Sequence, residues 1–438
     1  MHLFLSLGWD ATNAKVPMKL LKTQGRTAKQ TAQVLAQLEQ RSGSSLESVL
    51  PAVRKILKKV RTEDENALET YARKFDSLQN GQQIRVTPEE TAAAWEQLDL
   101  VLQQALKTAA DNIRAFAQRQ LPKSFEFNPI PGLTTGQQVR PLPSVGCYVP
   151  GGRHPLPSTM LMTVIPAQVA GVPRIVVTSP RPAPETLATA HLLGVTEFYR
   201  IGGAHAIAAL AYGTGIIRKV AKIVGPGNLY VTAAKREVAF DCSIDMLAGP
   251  TEIVVTSDLG QPASIAADLV AQAEHDPEAL AIFITTNELL AREVVAETKR
   301  QARQNPVAKQ AIAKNGYVFL ASTAEEAHAI TNRLAPEHLT VDSESDVAWV
   351  QNAGSVFIGQ HSPQPMGDYI SGPNHTLPTG GMAMIRGGLS VNDFVKLITV
   401  QQYSPAALDE LGPKAIRLAE AEGLGGHAQA IRARIEAK

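Results

Sequence analysis

Helical and strand-like hydrophobic patterns alternate along most of the chain, after an N-terminal third that reads as helical throughout. Apolar side chains recur at helical spacing through residues 46–75. Thr87, Pro88 and Glu90 predict a helix start, with an N-cap, a proline in the first turn and a capping-box acid. From about residue 144, short apolar strands alternate with helices, which is typical of parallel βαβ units.

This alternation falls into two sets, one before and one after residue 252. We therefore predict an α/β fold with two Rossmann-like parallel-sheet domains, a helical N-terminal segment and a helical C-terminal tail. The predicted division is an extension and helix at 1–40, a first α/β domain at 41–146 plus 253–389, a second Rossmann-like domain at 147–252, and the tail at 390–438.

Glycine-rich turns follow three predicted strands of the earlier set, at residues 148–152, 201–205 and 225–228. Ligands of open parallel sheets bind beyond the carboxyl ends of the strands, and glycine lets the backbone approach a ligand closely. Tight βα turns that need glycine for their own geometry explain each turn singly. Three of them in one domain favour a shared cleft, although the chain has no GxGxxG dinucleotide motif.

Composition narrows the class of protein. With 438 residues, of which 44% are hydrophobic and 19% charged, the chain has material for two or three domains with sizeable cores. Its formal net charge is only +1 and aromatic residues make up 5%. The charge balance gives no reason to expect nucleic acid or an anionic membrane as the main partner, and the few aromatics argue against a base-stacking surface.

The two cysteines, Cys147 and Cys242, exclude a disulfide framework and predict a reducing cytoplasm. No apolar run approaches the ~20 residues of a membrane span. The first residues lack the basic region of a signal peptide. Met18 begins a more ordinary cytoplasmic start, so residues 1–17 are interpreted as an extension or a mis-assigned start.

An acid and an imidazole, Glu337 and His338, stand side by side after a proline in LAPEHLTV. An exposed loop with two polar residues is the simpler explanation, because isolated charged residues are mostly solvated. The alternative is that the pair directs two proton-handling groups into one pocket. The pattern alone leaves both open.

Candidate metal ligands are scattered over the second half of the chain, on a predicted helix end, in a loop rich in proline and glycine, and in the tail. Histidine, carboxylate and amide groups without thiolate suit zinc or another divalent ion, but spacing alone does not show that they converge. The residues are Gln272 and His275, Asp368 and His375, and Glu422 and His427.

The motifs, taken in order, resemble the histidinol dehydrogenase family from about residue 40 to the C-terminus. They are GCYVPGGRHPLPSTMLMTVIPAQVAGV, IGGAHAIAALAYGTG, KIVGPGNLYV, IDMLAGPTEIVV, ADLVAQAEHDP, APEHL, GDYISGPNHTLPTGG and EGLGGHA.

The resemblance implies oxidation of L-histidinol to L-histidine, the last step of histidine biosynthesis, through a bound aldehyde. Two hydrides pass to two molecules of NAD. It further implies a homodimer of intertwined subunits with one zinc ion at each site, and no nucleic acid or membrane partner.

The resemblance also assigns roles to residues. His338 is the expected general base and Glu337 the expected activator of water, while zinc positions the substrate. The zinc ligands that match are Gln272, His275, Asp368 and His427 of the partner subunit. The expected substrate contacts are Thr251, Glu422 and His338 with those ligands, and the expected NAD contacts are Tyr148 and Asn228.

Two residues depart from the family pattern. His205 stands where glutamine is usual, so no NAD contact is assigned to it, and Thr251 replaces a serine but keeps the hydroxyl. His375 lies in a matching loop without being one of the family's ligands. Three alternatives remain: a dehydrogenase of the same fold acting on another alcohol such as a sulfonated diol, a metal-dependent hydrolase, and a non-enzymatic binding protein.

Overall fold

A computed structural model of the protein describes residues 18–41, 46–151 and 155–437. The predicted extension at residues 1–17 lies outside these ranges. The strands of the described residues are β1 (Lys19–Lys22), β2 (Arg85–Val86), β3 (Phe125–Ile130), β4 (Leu133–Pro141), β5 (Val145–Tyr148), β6 (Ile175–Thr178), β7 (Glu197–Tyr199), β8 (Lys222–Val224), β9 (Ser243–Ile244), β10 (Glu252–Thr256), β11 (Leu280–Thr285), β12 (Gly316–Leu320), β13 (His338–Val341), β14 (Ser355–Ile358) and β15 (Val395–Tyr403).

Helices cover the sheets and separate most of the parallel strands. In the described residues they are α1 (Ala28–Glu39), α2 (Leu50–Phe75), α3 (Pro88–Gln97), α4 (Leu100–Gln120), α5 (Pro157–Val169), α6 (Pro184–Leu192), α7 (Gly203–Tyr212), α8 (Leu229–Val238), α9 (Pro262–Ala273), α10 (Glu288–Gln301), α11 (Pro306–Asn315), α12 (Ala324–Leu334), α13 (Gln364–Tyr369), α14 (Pro405–Ala421) and α15 (Gly425–Glu436).

Sheet 1 is fully parallel, with the strand order β1-β12-β11-β10-β13-β14. Strands β10 and β11 are buried along their whole length, as expected for a sheet covered by helices on both faces. The strand order reverses direction between β10 and β13, because β11 and β12 extend to one side and β13 and β14 to the other. The predicted second set of strands and helices is confirmed here, whereas β13 was not predicted.

Sheet 2 has the order β2-β7-β6-β5-β8-β9, and only the edge strand β2 is antiparallel to its neighbour. Its order reverses between β5 and β8. Each parallel sheet has one apolar core on each face. The α/β fold with two Rossmann-like parallel sheets is therefore confirmed.

A third sheet, antiparallel and with the order β15-β4-β3, was not predicted. Its strand β15 leads into the helices α14 and α15, which pack on each other. The tail is therefore helical as predicted, but a strand precedes its two helices. We call sheet 3 together with α14 and α15 the arm. Both faces of its edge strand β15 are exposed, which leaves the arm without a covering layer in the described part of this chain.

The predicted domain boundaries differ from the strand pairing. Strand β1 lies in sheet 1, although residues 1–40 were assigned to an extension. Strand β2 pairs with β7 of sheet 2, and helix α2 packs on α7 and α8, although 41–146 was grouped with sheet 1. The sequence shows that α2 has an apolar face but not which sheet that face covers.

The predicted helix start at residue 87 is confirmed in full. The Thr87 side chain accepts from the Glu90 backbone N–H at 3.3 Å, and the Glu90 carboxylate accepts from the Thr87 backbone N–H at 3.0 Å. This reciprocal arrangement satisfies two N–H groups that lack a partner within the helix.

Candidate active site

The Glu337–His338 pair lies at an abrupt change from helix to strand. Helix α12 ends at Leu334, and Ala335 adopts a left-handed conformation with φ 44°. Pro336 then prevents any continuation of the helix. His338 is already the first residue of β13 and pairs with Ile253 and Ser355 of the neighbouring strands. The exposed-loop interpretation is therefore wrong, since Glu337 and His338 are only 6% and 3% exposed.

Glu337 is held by two donors at the start of β10, one from Thr251 just before the strand and one from its first residue. Its Oε2 accepts from the Thr251 hydroxyl at 2.5 Å and from the Glu252 backbone N–H at 2.7 Å. The same oxygen lies 3.6 Å from Nδ1 of His338. Two hydrogen bonds to one oxygen therefore fix the orientation of the Glu337 carboxylate.

The His338 imidazole lies between an amide and a second carboxylate. Nδ1 lies 3.2 Å from the Glu252 carbonyl and 3.3 Å from Nε2 of Gln272, and Nε2 faces the Asp368 carboxylate at 3.6 Å. Burial disfavours the charged ring, but the carboxylates of Glu337 and Asp368 outweigh it and raise the pKa of His338 to about 10. In this arrangement the ring is held as an imidazolium by two anions.

Gln272 is buried near the end of α9, and one of its two side-chain polar atoms has no hydrogen-bond partner. Its Nε2 donates to the Thr251 hydroxyl, whereas its Oε1 is buried and has no hydrogen-bond partner. An unpaired buried amide oxygen is costly, and such atoms are explained by a ligand in many sites. Gln272 Nε2 and the Asp368 carboxylate lie on opposite sides of the His338 ring. The unpaired amide oxygen and the carboxylate are the two groups of this cluster that could hold a divalent ion.

The sequence predicts a loop for both Asp368 and His375, but Asp368 lies on α13 and only His375 lies in the loop after it. Gln364, which the sequence did not single out, holds the Asp368 carboxylate. The buried Gln364 donates from Nε2 to Asp368 Oδ2 at 2.7 Å. His375 places Nδ1 2.8 Å from the Asp368 carbonyl and Nε2 3.2 Å from the Thr159 hydroxyl. Both nitrogens of His375 are thus engaged, in keeping with its omission from the metal ligands.

Arg41 and Glu252 form an ion pair next to the segment of residues 334–338, which carries Glu337 and His338. The guanidinium binds both carboxylate oxygens of Glu252, at 2.6 and 2.7 Å, and donates to the Leu334 carbonyl at 2.7 Å. The backbone N–H of Gly380 completes the contacts of that carboxylate at 3.0 Å. Burial raises the pKa of Glu252, and the Arg41 guanidinium opposes the rise. No local motif marked either residue.

The site lies between the two parallel sheets. Glu252, His338 and Ser355 are the first residues of their strands, so the pair sits at the amino edge of sheet 1. Thr159, in the first turn of α5 at the carboxyl edge of sheet 2, reaches the same loop through His375. A cavity of about 360 Å³ opens here, lined by His338, Asp368, His375 and the edge strand β14.

Tyr148 and Asn228 lie where sheet 2 reverses its strand order. Tyr148 ends β5, and its buried hydroxyl accepts from the Gly203 backbone N–H at 3.1 Å; burial raises the pKa of Tyr148 to about 12. Asn228 caps α8 by accepting from the backbone N–H groups of Tyr230 and Val231. Ligands of doubly wound sheets bind at this position.

His205 points into the protein. It is 1% exposed, and its Nε2 lies 2.7 Å from Asp76 Oδ2. The same oxygen accepts from the Gly202 backbone N–H at 3.0 Å. His205 therefore makes its hydrogen bond to the end of α2 and not to the cavity between the sheets.

Three predicted site residues are not part of the cluster in this chain. His275 is exposed just beyond α9, three residues after Gln272, and Glu422 and His427 are exposed at the connection between α14 and α15. Within the described ranges, no hydrogen bond or ion pair joins these side chains to the cluster. Nor do those ranges contain three or more His, Cys, Asp or Glu side chains grouped closely enough to hold a metal ion.

Both cysteines are free thiols buried in the protein. Burial raises the pKa of Cys147 to about 12 and that of Cys242 to about 11. Neither is therefore a thiolate at neutral pH, which fits a packing role. Separately, no helix in the described ranges has the length and apolar content to cross a membrane.

The reversal of strand order in one parallel sheet and a buried Glu–His pair at the edge of another fit the class of α/β dehydrogenases. Comparison with known proteins identifies the family within this class. The model of the family "Histidinol dehydrogenase" matches residues 39–435. A solved histidinol dehydrogenase from Elizabethkingia anophelis is similar to 96% of this chain and 98% of its own, with a TM-score of 0.90 and 35% identity.

Curated relatives give the same result. Histidinol dehydrogenase of Bacillus cereus is 46% identical over 401 residues, which is 89% of this chain and 93% of the relative. That of Geobacillus kaustophilus is 46% identical over 405 residues, 90% of this chain and 95% of the relative. The chain belongs to the histidinol dehydrogenase family, a family of NAD-dependent oxidoreductases of histidine biosynthesis.

Proposed function

We propose that the protein oxidises L-histidinol to L-histidine, with two molecules of NAD as successive hydride acceptors. The observation that carries this proposal is one buried cluster of Thr251, Gln272, Glu337, His338 and Asp368. These residues come from distant parts of the chain, and the resemblance assigns each of them to the histidinol site.

His338 serves the first step as general base. The hydroxyl of the substrate loses its proton to the imidazole while its carbon gives a hydride to NAD, which leaves an aldehyde. Nε2, which faces Asp368, is the nitrogen on the side of the cavity. The two carboxylates favour the protonated ring, which cannot accept a proton. Bound zinc would offset the charge of Asp368 and lower the pKa of His338, so that the neutral imidazole can take the substrate proton.

Glu337 serves the second step. Its carboxylate takes a proton from the water that adds to the aldehyde, and the hydrate then gives the second hydride to a second NAD. The Thr251 hydroxyl and the Glu252 backbone N–H hold this carboxylate in place. Two successive steps on one carbon use two different proton acceptors, which explains why an acid and an imidazole are neighbours.

Gln272, His275, Asp368 and His427 of the partner subunit would hold zinc. The unpaired Oε1 of Gln272 and the carboxylate of Asp368 support this assignment. When bound, zinc supplies a positive template for the imidazole and amino nitrogens of the substrate and offsets the charge of Asp368. Thr251 then contacts the substrate through its hydroxyl.

The exposed arm supports a homodimer with shared sites. In the described part of the chain, apolar side chains of β15 such as Leu397, Ile398 and Tyr403 are 45–52% exposed, which is typical of a surface covered by another copy. We propose that Glu422 and His427 complete the site of the other subunit.

NAD is proposed to bind at the carboxyl edge of sheet 2, beside Tyr148 and Asn228. The reversal of strand order at this point supports the position, and the contact through Thr159 and His375 joins this edge to the catalytic cluster. We further propose that the enzyme works in the cytoplasm, where free thiols persist.

Of the three alternatives, the hydrolase and the binding protein are excluded by membership of the family. Another alcohol as substrate remained open because of His205. Its side chain is paired with Asp76 inside the protein, so it gives no argument for a different substrate.

The test is NADH formation from L-histidinol, followed by absorbance, before and after chelation. We expect two NADH per histidinol, loss with the chelator and recovery with zinc. His338→Asn lowers alcohol and aldehyde oxidation by roughly 10²- to 10⁴-fold, the usual contribution of a general base. Glu337→Gln lowers oxidation of the aldehyde more than that of the alcohol.

Short diols serve as the comparison substrates. Turnover of diols without turnover of histidinol would overturn the proposed substrate. Full activity of a folded His338→Asn protein would overturn the assignment of the base. Unchanged activity in a protein shown to be free of metal would overturn the role of zinc.

A further inference from the structure

A buried pair of a carboxylate and an imidazole stands at the start of α7. Asp76, which caps the end of α2, and His205, in the first turn of α7, are 6% and 1% exposed. Their contact of 2.7 Å joins two elements that are 129 residues apart in the sequence. The rings of Tyr71 and Phe75 lie 5.7 and 6.1 Å from the imidazole and fix its plane.

The pair also holds backbone of the glycine turn after β7. Asp76 Oδ2 accepts from the Gly202 N–H at 3.0 Å, and the next N–H, that of Gly203, donates to the Tyr148 hydroxyl at 3.1 Å. The turn is thus fixed on one side by Asp76 and on the other by the residue proposed to contact NAD. Any movement of Asp76 would be passed to Tyr148 through two consecutive peptide groups.

The other glycine turn of sheet 2 is held in the same way. Asp245 accepts from the Gly225 N–H at 2.7 Å and binds Lys235, whose ammonium donates to the Gly225 carbonyl at 3.0 Å. Both side chains are almost fully buried. Each turn that borders Tyr148 therefore has a buried carboxylate on a glycine N–H and a basic side chain on that carboxylate.

We propose that His205 is a positioning residue for NAD, which acts through Asp76 and the Gly202–Gly203 turn without touching the dinucleotide. In this chain, His205 stands where the family usually has glutamine, and it affects NAD binding only indirectly, from a buried position. The proposal rests on the placement of NAD beside Tyr148. A preorganised turn lowers the ordering cost of binding, and a small misplacement of a binding group is expensive.

The test compares three substitutions of His205. His205→Leu removes the donor to Asp76 and raises both KM and Kd for NAD about tenfold, with kcat and KM for histidinol within about twofold. His205→Gln keeps a side-chain N–H donor of similar reach and restores NAD binding to within about threefold of the wild type. His205→Asn has the same amide on a shorter side chain and behaves like the leucine variant. Calorimetry gives Kd, and steady-state rates give KM and kcat.

Ile207→Val, a small change in the buried core of the same helix, is the control for packing and leaves KM for NAD unchanged. Should His205→Leu not fold, the comparison of His205→Asn with His205→Gln decides alone. Equal NAD affinity of these two variants, or a fall in kcat that matches the rise in KM, would overturn the positioning role.

Tyr148→Phe and Asn228→Ala separate this inference from the proposed site. If they weaken NAD binding while His205→Leu and His205→Asn do not, His205 has no positioning role and the site stands. If none of the variants changes NAD binding, the placement of NAD itself is wrong.

Discussion

Asp268 lies on α9 one turn before Gln272 and faces the start of α13, the helix that carries Asp368. Burial raises its pKa to about 6, and a hydrogen bond from the Gln364 backbone opposes the rise. The carboxyl group thus sits beside the site without belonging to it. A carboxylate with a raised pKa makes the folded state bind more protons than the unfolded state between the two pKa values, so that folding stability falls as pH rises through that range.

Asp268→Asn removes this titration and keeps an oxygen for the Gln364 N–H. An ordinary aspartate has a pKa of about 3.9, so the variant should gain stability between about pH 4 and pH 6, by on the order of 2–3 kcal/mol at neutral pH. At about pH 4 the gain is absent. Urea unfolding at both pH values measures it. Asp111→Asn, at an exposed position of α4, should show no such difference; an equal gain of Asp268→Asn at both pH values would contradict the explanation.

The sequence predicts the catalytic candidates, but it does not predict the residues that hold them in place by hydrogen bonds. Glu337 and His338 stand out as a pair, and the sequence alone raised the question of what they do. Arg41 has no local signature, because its partner Glu252 is 211 residues away in the sequence. Gln364 is four residues before Asp368 on α13, a spacing that places both on one face only once the segment is known to be helical.

At the scale of the element, the turn between β8 and α8 shows what glycine makes possible. Gly225 has φ 114°, and a Cβ on it would lie 2.2 Å from the Tyr148 carbonyl oxygen. Both the backbone conformation and the close approach therefore require glycine. The turn brings β5 and β8 together at the place where sheet 2 reverses its strand order.

Gly225→Ala should destabilise the fold by roughly 1–3 kcal/mol for the strained conformation alone, and it should raise KM for NAD because the turn must move away from Tyr148. Gly194→Ala is the matched control: its φ is 64° and a Cβ there would meet nothing within 4 Å. That variant should lose stability without a change in KM. Urea unfolding and steady-state kinetics measure both effects, and equal KM values in the two variants would refute the role of the turn.

The elements that the sequence did not predict are those with distant partners. The βαβ units were predictable because strand and helix patterns alternate locally. Strand β4 is largely polar, and its partner β15 lies more than 250 residues away, with Gly136 paired to Val400. Strand β13 begins two residues after Pro336 and has only four residues. Periodicity gives no signal for either.

At the scale of the whole molecule, two sheets of the same type present opposite edges to one site. The rule that ligands bind at carboxyl ends agrees with the glycine turns of sheet 2. The same rule does not predict that the Glu337–His338 pair lies at the amino edge of sheet 1. The reason is geometric: when two parallel sheets share a cleft in this way, one offers its carboxyl edge and the other its amino edge.

Sharing of sites between subunits can be tested by mixing two inactive chains. Suppose that each subunit supplies His427 to the site of the other. A dimer of one His338→Asn chain and one His427→Ala chain then has one site that carries both substitutions and one site that carries neither. Random mixing should therefore restore about one quarter of wild-type activity, because half of the dimers are mixed and half of their sites are intact. Activity after co-expression, related to the amount of dimer, measures this.

Each variant on its own is the control and should be nearly inactive. If the mixture gains nothing over the separate variants although mixed dimers form, each tail serves its own chain. A mixture of His338→Asn with Glu337→Gln should gain nothing in any case, because these two residues belong to the same part of one chain.

The pairing of β4 with β15 also sets an order of events during synthesis on the ribosome. At roughly 5–20 residues per second, the hairpin of β3 and β4 must wait on the order of 13–50 s for its third strand. During that interval the edge of β4 that later pairs with β15 is open, and Phe125 and Phe127 on β3 are about half exposed even in the finished chain. Nascent chains of this protein should therefore depend on chaperones until translation reaches the last fifty residues.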